Sequence, residues 1–350
     1  MPHLATTGIG SLPHVQCEPA LAASLARAIP FLPQLPGLSA AERMIPQAVE
    51  GLPGVGWDEA GRCTVDVEAW EAGRTDFDAR WEAARAADAW TAFEPSALAC
   101  RAWRPFLAAV VERGLPFAKA QLAGPFTVGL GVATSLGPVA LEVADVSEAL
   151  GRLVHARALA LVRALRHAGT TPLLFLDEPG LVAWSSARPA HVQALASLRA
   201  LVAALQREGA LVGLHCCGNT DWARVLDLGL DVLSLDVRLS LDALLEESGP
   251  LARFLDSGAV LSLGLVPTTP ESTYDVGELV EAVEVSLDSA LPPGHAFEQV
   301  GAQVLLTPAC GLASFSPEDA ERLLTRLDEA RGRLREALAA RAAGAGTSLN

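Results

Sequence analysis

Residues 173–214 contain two short apolar runs, in LLFLDEPG at 173–180 and LVGL at 211–214, separated by PAHVQALASLRALVAALQRE at 189–208. Each apolar run leads directly into polar residues, which is typical of a strand that is buried on both faces. Between the runs, apolar residues recur every three or four positions, which is the spacing of an amphipathic helix. This order predicts a strand–helix–strand unit and therefore a parallel sheet.

The same alternation continues over most of the chain. Further apolar runs suited to buried strands lie at residues 6–9, 117–122, 232–235, 260–263 and 304–306. Helical patterns lie between them, for example at 145–167 and 276–289. Strands and helices in this series predict an α/β fold, specifically a (β/α)8 TIM barrel with one strand unplaced. We expect a single barrel domain over residues 1–343, a long ordered loop or small insertion at 30–61, and a disordered tail at 344–350.

Composition excludes several classes of function. Of the 350 residues, 51% are hydrophobic, which is enough for a full core, and the net charge of −15 disfavours binding to nucleic acids. The longest uncharged stretch, residues 120–141, is interrupted by Gly, Pro, Ser and Thr, so no membrane-spanning helix is expected. The first residues do not resemble a signal peptide, and we expect a cytoplasmic protein.

Residues with metal-binding side chains follow three of the predicted strands, and in a barrel the functional residues lie at such strand ends. One strand leads into His215-Cys216-Cys217, in which the first and third side chains face the same side. Two other strands are followed by Cys310 and by Asp236. A His-x-Cys pair alone is more typical of a buried strand end, but together with Cys310 at a second strand end, and an oxygen from Asp236, the group suits zinc.

Two further strand ends carry groups suited to a small polar substrate. Asp177 and Glu178 follow the run at 173–176 and would bind an ammonium group or act as an acid/base pair. Capping of a helix by Asp177 is the alternative interpretation. Near the N-terminus, glycines and Ser11 follow the first strand, where backbone N–H groups would bind a carboxylate or simply form a tight turn.

Taken together, six segments resemble the catalytic domain of cobalamin-independent methionine synthase, within the wider superfamily that includes uroporphyrinogen decarboxylase. These segments are residues 7–13, 119–125, 176–181, 214–217, 231–236 and 308–312. Each is common by itself, but six in this order are specific, and they span nearly the whole chain.

The resemblance implies a zinc-dependent methyltransferase whose metal ligands are His215, Cys217 and Cys310. Where the family has a glutamate as the fourth ligand, this chain has Asp236. Its shorter side chain either still reaches the metal or leaves the fourth position open to a substrate thiol. The resemblance also implies that homocysteine is held by Ile9, Ser11 and Asp177. Zinc would lower the thiol pKa from its free value of about 8.5 and so generate the thiolate that attacks a methyl donor.

Departures from the family concern the methyl donor. Gly131 stands where the family has a tryptophan for the pterin ring, and Ala183 stands where it has a glutamate. No histidine occurs in residues 261–270, where the family has a proton donor, and the folate-binding N-terminal half has no counterpart in this sequence. We therefore expect a donor other than methyltetrahydrofolate polyglutamate, such as a methylated corrinoid or corrinoid protein.

Three alternatives stay open at this point. His-x-Cys-Gly-x-Thr at 215–220 also looks like the motif of corrinoid-dependent coenzyme M methyltransferases, which act on a different thiol. A metal-free decarboxylase of the uroporphyrinogen type would need arginines near the first strand, and residues 1–60 contain only Arg27 and Arg43. Finally, the zinc would be structural in a partner-binding protein if four closed ligands were present.

Overall fold

The computed structural model describes residues 3–269 and 274–347. Its strands are β1 (Ala5–Thr6), β2 (Val55–Trp57), β3 (Cys63–Val65), β4 (Phe117–Ala123), β5 (Val132–Thr134), β6 (Thr171–Asp177), β7 (Leu211–Cys216), β8 (Val232–Asp236), β9 (Val260–Val266) and β10 (Leu305–Pro308). Its α-helices are α1 (Cys17–Leu25), α2 (Met44–Val49), α3 (Val67–Ala86), α4 (Trp103–Arg113), α5 (Pro125–Gly131), α6 (Ala144–His167), α7 (Pro189–Arg207), α8 (Trp222–Leu226), α9 (Val237–Glu246), α10 (Ser248–Asp256), α11 (Val276–Ala290), α12 (Phe297–Gln303) and α13 (Pro317–Thr347).

Seven of the strands form one curled parallel sheet in the order β1-β10-β9-β8-β7-β6-β4. Consecutive strands of this sheet are connected through helices, as parallel pairing requires. Each of the seven strands overlaps an apolar run of the sequence, although β1 shares only Thr6 with the run predicted at 6–9, so the predicted α/β fold with a parallel sheet is confirmed. Because the strands are parallel, their carboxyl ends lie along one edge, where residues from distant parts of the chain meet.

The prediction of a closed eight-stranded barrel is wrong, because β1 and β4 are the edges of a seven-stranded sheet. Residues 29–34 lie between these two edges and bond to both: Ile29 N–H donates to Thr6 O (3.0 Å) and Leu32 N–H to Lys119 O (2.8 Å). Two prolines in this segment, Pro30 and Pro33, have no N–H to donate, so a regular strand ladder does not form there.

Side chains inside the curl of the sheet form a small apolar core separate from the main one. Its buried members are Ala5, Ile29, Leu173, Phe175, Val232, Val260 and Leu305. Neighbouring residues on the same strands, such as Leu174 and Leu233, belong instead to the larger core between the sheet and the surrounding helices. This division follows the alternation of side chains along a strand.

A second sheet of three strands, in the order β2-β3-β5, forms from the segments that follow residues 29–34 and β4. Here β2 and β3 pair antiparallel, whereas β3 and β5 pair parallel. Each of these strands has only three residues. Runs this short show no recognisable periodicity, so the sequence predicted only an ordered loop or insertion in part of this region.

The C-terminal helix α13 runs to Thr347, within the segment 344–350 for which we predicted a disordered tail. Residues 348–350 lie outside the described residues. Among the residues that the structure describes, none of the helices combines the length and apolar character needed to cross a membrane.

Candidate metal centre

Strands β7 and β10 bring the predicted soft ligands to the same edge of the sheet. His215 lies near the end of β7, and Cys217 is the first residue after that strand. Cys310 lies two residues after the end of β10. A further observation, missed in the sequence, is Gly264 on β9. A Cβ atom there would lie 2.5 Å from Leu235 O and 2.8 Å from Ala309 Cα, so only glycine allows the turn with Cys310 to approach β8.

Three metal-binding side chains converge at this edge. One ligand atom from each of His215, Cys217 and Cys310 can be chosen so that all three lie within 4.8 Å of one another. His215 is buried, whereas both cysteines are partly exposed, so the cluster opens toward solvent on the sulfur side. Cys216 does not join them, because its buried Sγ lies 3.3 Å from Gly218 O, to which it donates a hydrogen bond.

The two thiols are close enough to share a proton. A hydrogen bond with Cys310 lowers the pKa of Cys217, and the same contact raises the pKa of Cys310 to about 12. Two sulfurs that compete for one proton, beside an imidazole, are a suitable donor set for a soft divalent cation, which displaces the protons and binds the thiolates. The residues present therefore fit zinc.

The two ring nitrogens of His215 have different surroundings. Its Nδ1 lies 3.1 Å from Ser234 Oγ on the neighbouring strand β8. Its Nε2 is buried and has no hydrogen-bond partner among the residues that the structure describes. A buried polar atom without a partner is costly unless a ligand completes it, which agrees with a metal-binding role for this nitrogen.

Asp236, predicted as a fourth ligand, lies at the junction of β8 and α9 and is not part of the three-residue group. Its Oδ1 accepts a hydrogen bond from Arg238 N–H (2.9 Å) and so caps α9. Burial raises the pKa of Asp236, and hydrogen bonds from the N–H groups of Arg238 and Leu239 oppose this shift, with a smaller contribution from the charge of His215. The carboxylate is therefore close to the cluster but is occupied by the start of a helix.

Asp177 is beside the cluster, because it pairs in register with His215 across β6 and β7. It is 5% exposed, and within residues 3–269 and 274–347 its Oδ1 has no hydrogen-bond partner. Burial raises the pKa of Asp177, although the charges of His215 and Lys119 oppose this effect. An accessible cation would be stabilised by this unpartnered oxygen.

Lys119 was not singled out in the sequence, although it is the single lysine of the chain and lies in an otherwise uncharged strand. It is completely buried, and its Nζ donates to Ile9 O (2.8 Å) and to Gln121 Oε1 (3.1 Å). The same Nζ lies 4.4 Å from the ring centroid of Phe175. Burial lowers the pKa of Lys119, against the influence of Asp177.

The predicted substrate loop at residues 9–11 is held by hydrogen bonds from two other parts of the chain. Ile9 is buried, and its carbonyl oxygen accepts the hydrogen bond from Lys119. Ser11 is partly exposed, and its carbonyl oxygen accepts a hydrogen bond from Leu312 N–H (2.8 Å), two residues beyond Cys310. The loop is thereby tied to the segment that carries the third soft ligand.

Glu178 has a structural role that the sequence left ambiguous. Its carboxylate is fully buried and accepts hydrogen bonds from Phe126 N–H (3.1 Å) and Thr127 N–H (2.7 Å), at the start of α5. A side chain at Gly124 would collide with this carboxylate, which explains the glycine before α5. Glu178, not Asp177, is thus the residue that caps a helix.

The two positions where the sequence departs from the resembled family lie in clearly different surroundings. A side chain at Gly131, at the end of α5, would collide with Ile45 Cδ1, so any larger residue here requires the Ile45 side chain to move. Ala183 ends a short 3₁₀ helix, Pro179–Ala183, and is exposed.

Comparison with known proteins shows a likeness of fold. No protein-family profile matches the chain, and no curated protein sequence matches it. The structure is similar to a B12-independent methionine synthase from Shewanella sp. W3-18-1 in complex with selenomethionine, with a TM-score of 0.50, 13% identity, and coverage of 67% of this chain and 68% of that one. A methyltransferase from Methanosarcina mazei matches with a TM-score of 0.43, 18% identity and 67% coverage of both chains.

Proposed function

We propose that this protein is a metal-dependent methyltransferase that transfers a methyl group to a thiol. The observation that carries this proposal is the convergence of His215, Cys217 and Cys310 within 4.8 Å at the carboxyl edge of a parallel sheet. Soft ligands gathered at this edge, partly open to solvent, suit a catalytic metal better than a closed structural one. The fold shared with a B12-independent methionine synthase is compatible with this activity.

Zinc is the metal that this donor set favours, and bound zinc would lower the pKa of a thiol acceptor so that its thiolate is available near neutral pH. Asp236 is engaged with α9 and lies outside the three-residue group. We therefore assign the fourth position to the acceptor thiol and expect Asp236 to contribute by its negative charge near His215. Three protein ligands with one open position are typical of catalytic zinc sites.

Homocysteine is the acceptor that the surrounding groups favour. The unpartnered oxygen of Asp177 offers a binding site for the ammonium group of an amino acid. On the other side, the loop carrying Ile9 and Ser11 is held against the segment after β10, and Ser11 remains partly exposed to bind a carboxylate. Asp177 and Ser11 would thus orient the acceptor through its ammonium and carboxylate groups, while its sulfur would bind the metal.

The methyl donor is proposed to be a methylated corrinoid, free or protein-bound. At Gly131, the glycine offers no aromatic ring on which a pterin could stack, and Ile45 Cδ1 lies where a side chain would begin. At Ala183, the side chain carries no group able to hydrogen-bond to a pterin. Both features support a donor other than methyltetrahydrofolate polyglutamate.

A methyl-transfer assay with purified components tests this proposal. The protein is loaded with zinc and given homocysteine with either methylcobalamin or methyltetrahydrofolate, and methionine is measured. We expect methionine from the corrinoid only. Methionine formation from the folate alone would contradict the donor assignment, and failure with both donors while zinc is bound would contradict the acceptor or the reaction.

Matched cysteine variants test the metal site in the same experiment. Cys310→Ser and Cys217→Ser should lose stoichiometric zinc and activity, because each removes a thiolate ligand. Cys216→Ser should retain both, because Cys216 hydrogen-bonds to Gly218 O away from the cluster. A panel with coenzyme M as acceptor and uroporphyrinogen as substrate separates the two remaining alternatives.

A further inference from the structure

His215 is held by one hydroxyl group from the adjacent strand. Strands β7 and β8 pair in parallel with His215 directly opposite Ser234. The distance from His215 Nδ1 to Ser234 Oγ is 3.1 Å, and both residues are buried. The other ring nitrogen, Nε2, makes no hydrogen bond within the described part of the chain and is left for the cluster with Cys217 and Cys310.

A neutral imidazole carries its hydrogen on only one of its two nitrogens, and a metal binds the other one. A hydroxyl oxygen that accepts from Nδ1–H therefore keeps the lone pair on Nε2 and fixes the plane of the ring. Ser234 is 0% exposed in the middle of the sheet, so its hydroxyl is shielded from bulk water.

We propose that Ser234 is a positioning residue that holds His215 in the tautomer and orientation needed for metal binding through Nε2. This inference rests on the proposed metal site but not on methyl transfer or on any particular acceptor. Asp177 and Asp236 influence His215 through their charges, whereas Ser234 is the residue whose side chain hydrogen-bonds to Nδ1. The inference thus assigns the serine hydroxyl a role distinct from that of the nearby carboxylates.

Ser262, on the neighbouring strand β9, provides a matched control. Ser262 lies directly opposite Ser234 across β8 and β9 and is equally buried, and its Oγ has no hydrogen-bond partner in the described ranges. Removing either hydroxyl deletes one buried oxygen atom from the same sheet. Only removal of the Ser234 hydroxyl, however, affects the ring of His215.

Zinc affinity, measured by competition with a chromophoric chelator, tests the inference. Ser234→Ala should weaken zinc binding about 10- to 100-fold, which is the usual effect of losing a partner of a metal-binding histidine. Ser234→Thr keeps the hydroxyl and should restore most of the affinity. Ser262→Ala should bind zinc as the unmodified protein does. Thermal unfolding of each metal-free variant establishes that all four proteins are folded.

Nitrogen NMR of the metal-free protein provides a readout that does not require bound metal. The unmodified protein and Ser234→Thr should show His215 with hydrogen on Nδ1, and Ser234→Ala should show a mixture of tautomers. Equal zinc affinity in Ser234→Ala and the unmodified protein would overturn the inference, as would equal weakening in Ser262→Ala. If Ser234→Ala weakens zinc binding while no thiol is methylated, the inference stands and the proposed reaction fails.

Discussion

The buried carboxylate of Glu178 satisfies two backbone N–H groups at the start of α5, which the helix itself leaves without partners. Glu178→Ala should lower the free energy of unfolding by about 1–3 kcal/mol for each donor left unsatisfied. Urea unfolding of the metal-free protein measures this change. Glu112→Ala, at an exposed position of α4, is the control and should change the free energy by less than about 0.5 kcal/mol. Equal effects of the two substitutions would contradict the capping role of Glu178.

Asp177 differs from its neighbour Glu178, because Asp177 Oδ1 has no hydrogen-bond partner among the residues described. Asp177→Asn should raise KM for homocysteine about 10- to 100-fold, because a hydrogen bond to a charged group contributes about 1.5–3 kcal/mol. The KM for a thiol without an amino group should not change, and neither should zinc affinity. A similar rise in KM for both thiols would mean that Asp177 supports the metal site and does not bind the ammonium group.

At the scale of elements, the junction of β8 and α9 distinguishes a helix cap from a metal ligand. Asp236→Ala should lower the free energy of unfolding by about 1 kcal/mol, because α9 loses its N-cap, whereas Asp236→Asn keeps a capping oxygen and should cost only a few tenths. Zinc affinity of Asp236→Asn should stay within a few-fold of the unmodified protein. A large loss of affinity in this variant would identify Asp236 as the fourth ligand after all.

The elements that the sequence predicted are those with a strong periodic or apolar signal. For example, β6 and β7 coincide with the runs at 173–176 and 211–214, and α7 coincides with the pattern at 189–208 within one residue. Three-residue strands carry no such signal, so β2, β3 and β5 were missed. The segment at 29–34 hydrogen-bonds to both edge strands, but Pro30 and Pro33 interrupt its apolar run, so no strand was predicted there.

At the scale of the whole molecule, the candidate site forms only because the sheet brings distant parts of the chain together. Cys310 is 93 positions from Cys217 in the sequence, and only the pairing of β7 through β10 along one sheet brings them together. Strand ends could be predicted from apolar runs, so the three soft ligands could be predicted as well. Contacts that depend on the exact strand register could not be predicted. These include the hydrogen bonds of Ser234 with His215 and of Lys119 with Ile9 O.

Lys119 links parts of the molecule that are far apart in the chain, because its ammonium group on β4 bonds to Ile9 after β1 and lies over Phe175 on β6. Its burial lowers its pKa below the ordinary value of 10.5, so the folded protein releases this proton at a lower pH than the unfolded chain does. Between the two pKa values the unfolded chain binds more protons, and stability must therefore rise with pH. The contribution is fully present above pH 10.5 and is lost as the pH falls toward the native pKa.

Lys119→Met removes this titration while keeping a long side chain in the same space. Between pH 8 and 10, the free energy of unfolding of the unmodified protein should rise relative to that of Lys119→Met, by at most about 1.4 kcal/mol per pH unit for one proton. Urea unfolding with a chelator present measures the difference without a contribution from bound metal. Parallel pH profiles for the two proteins would mean that Lys119 titrates in the folded state as it does in water. The rise is expected because desolvation of the ammonium group outweighs its hydrogen bonds and its attraction to Asp177.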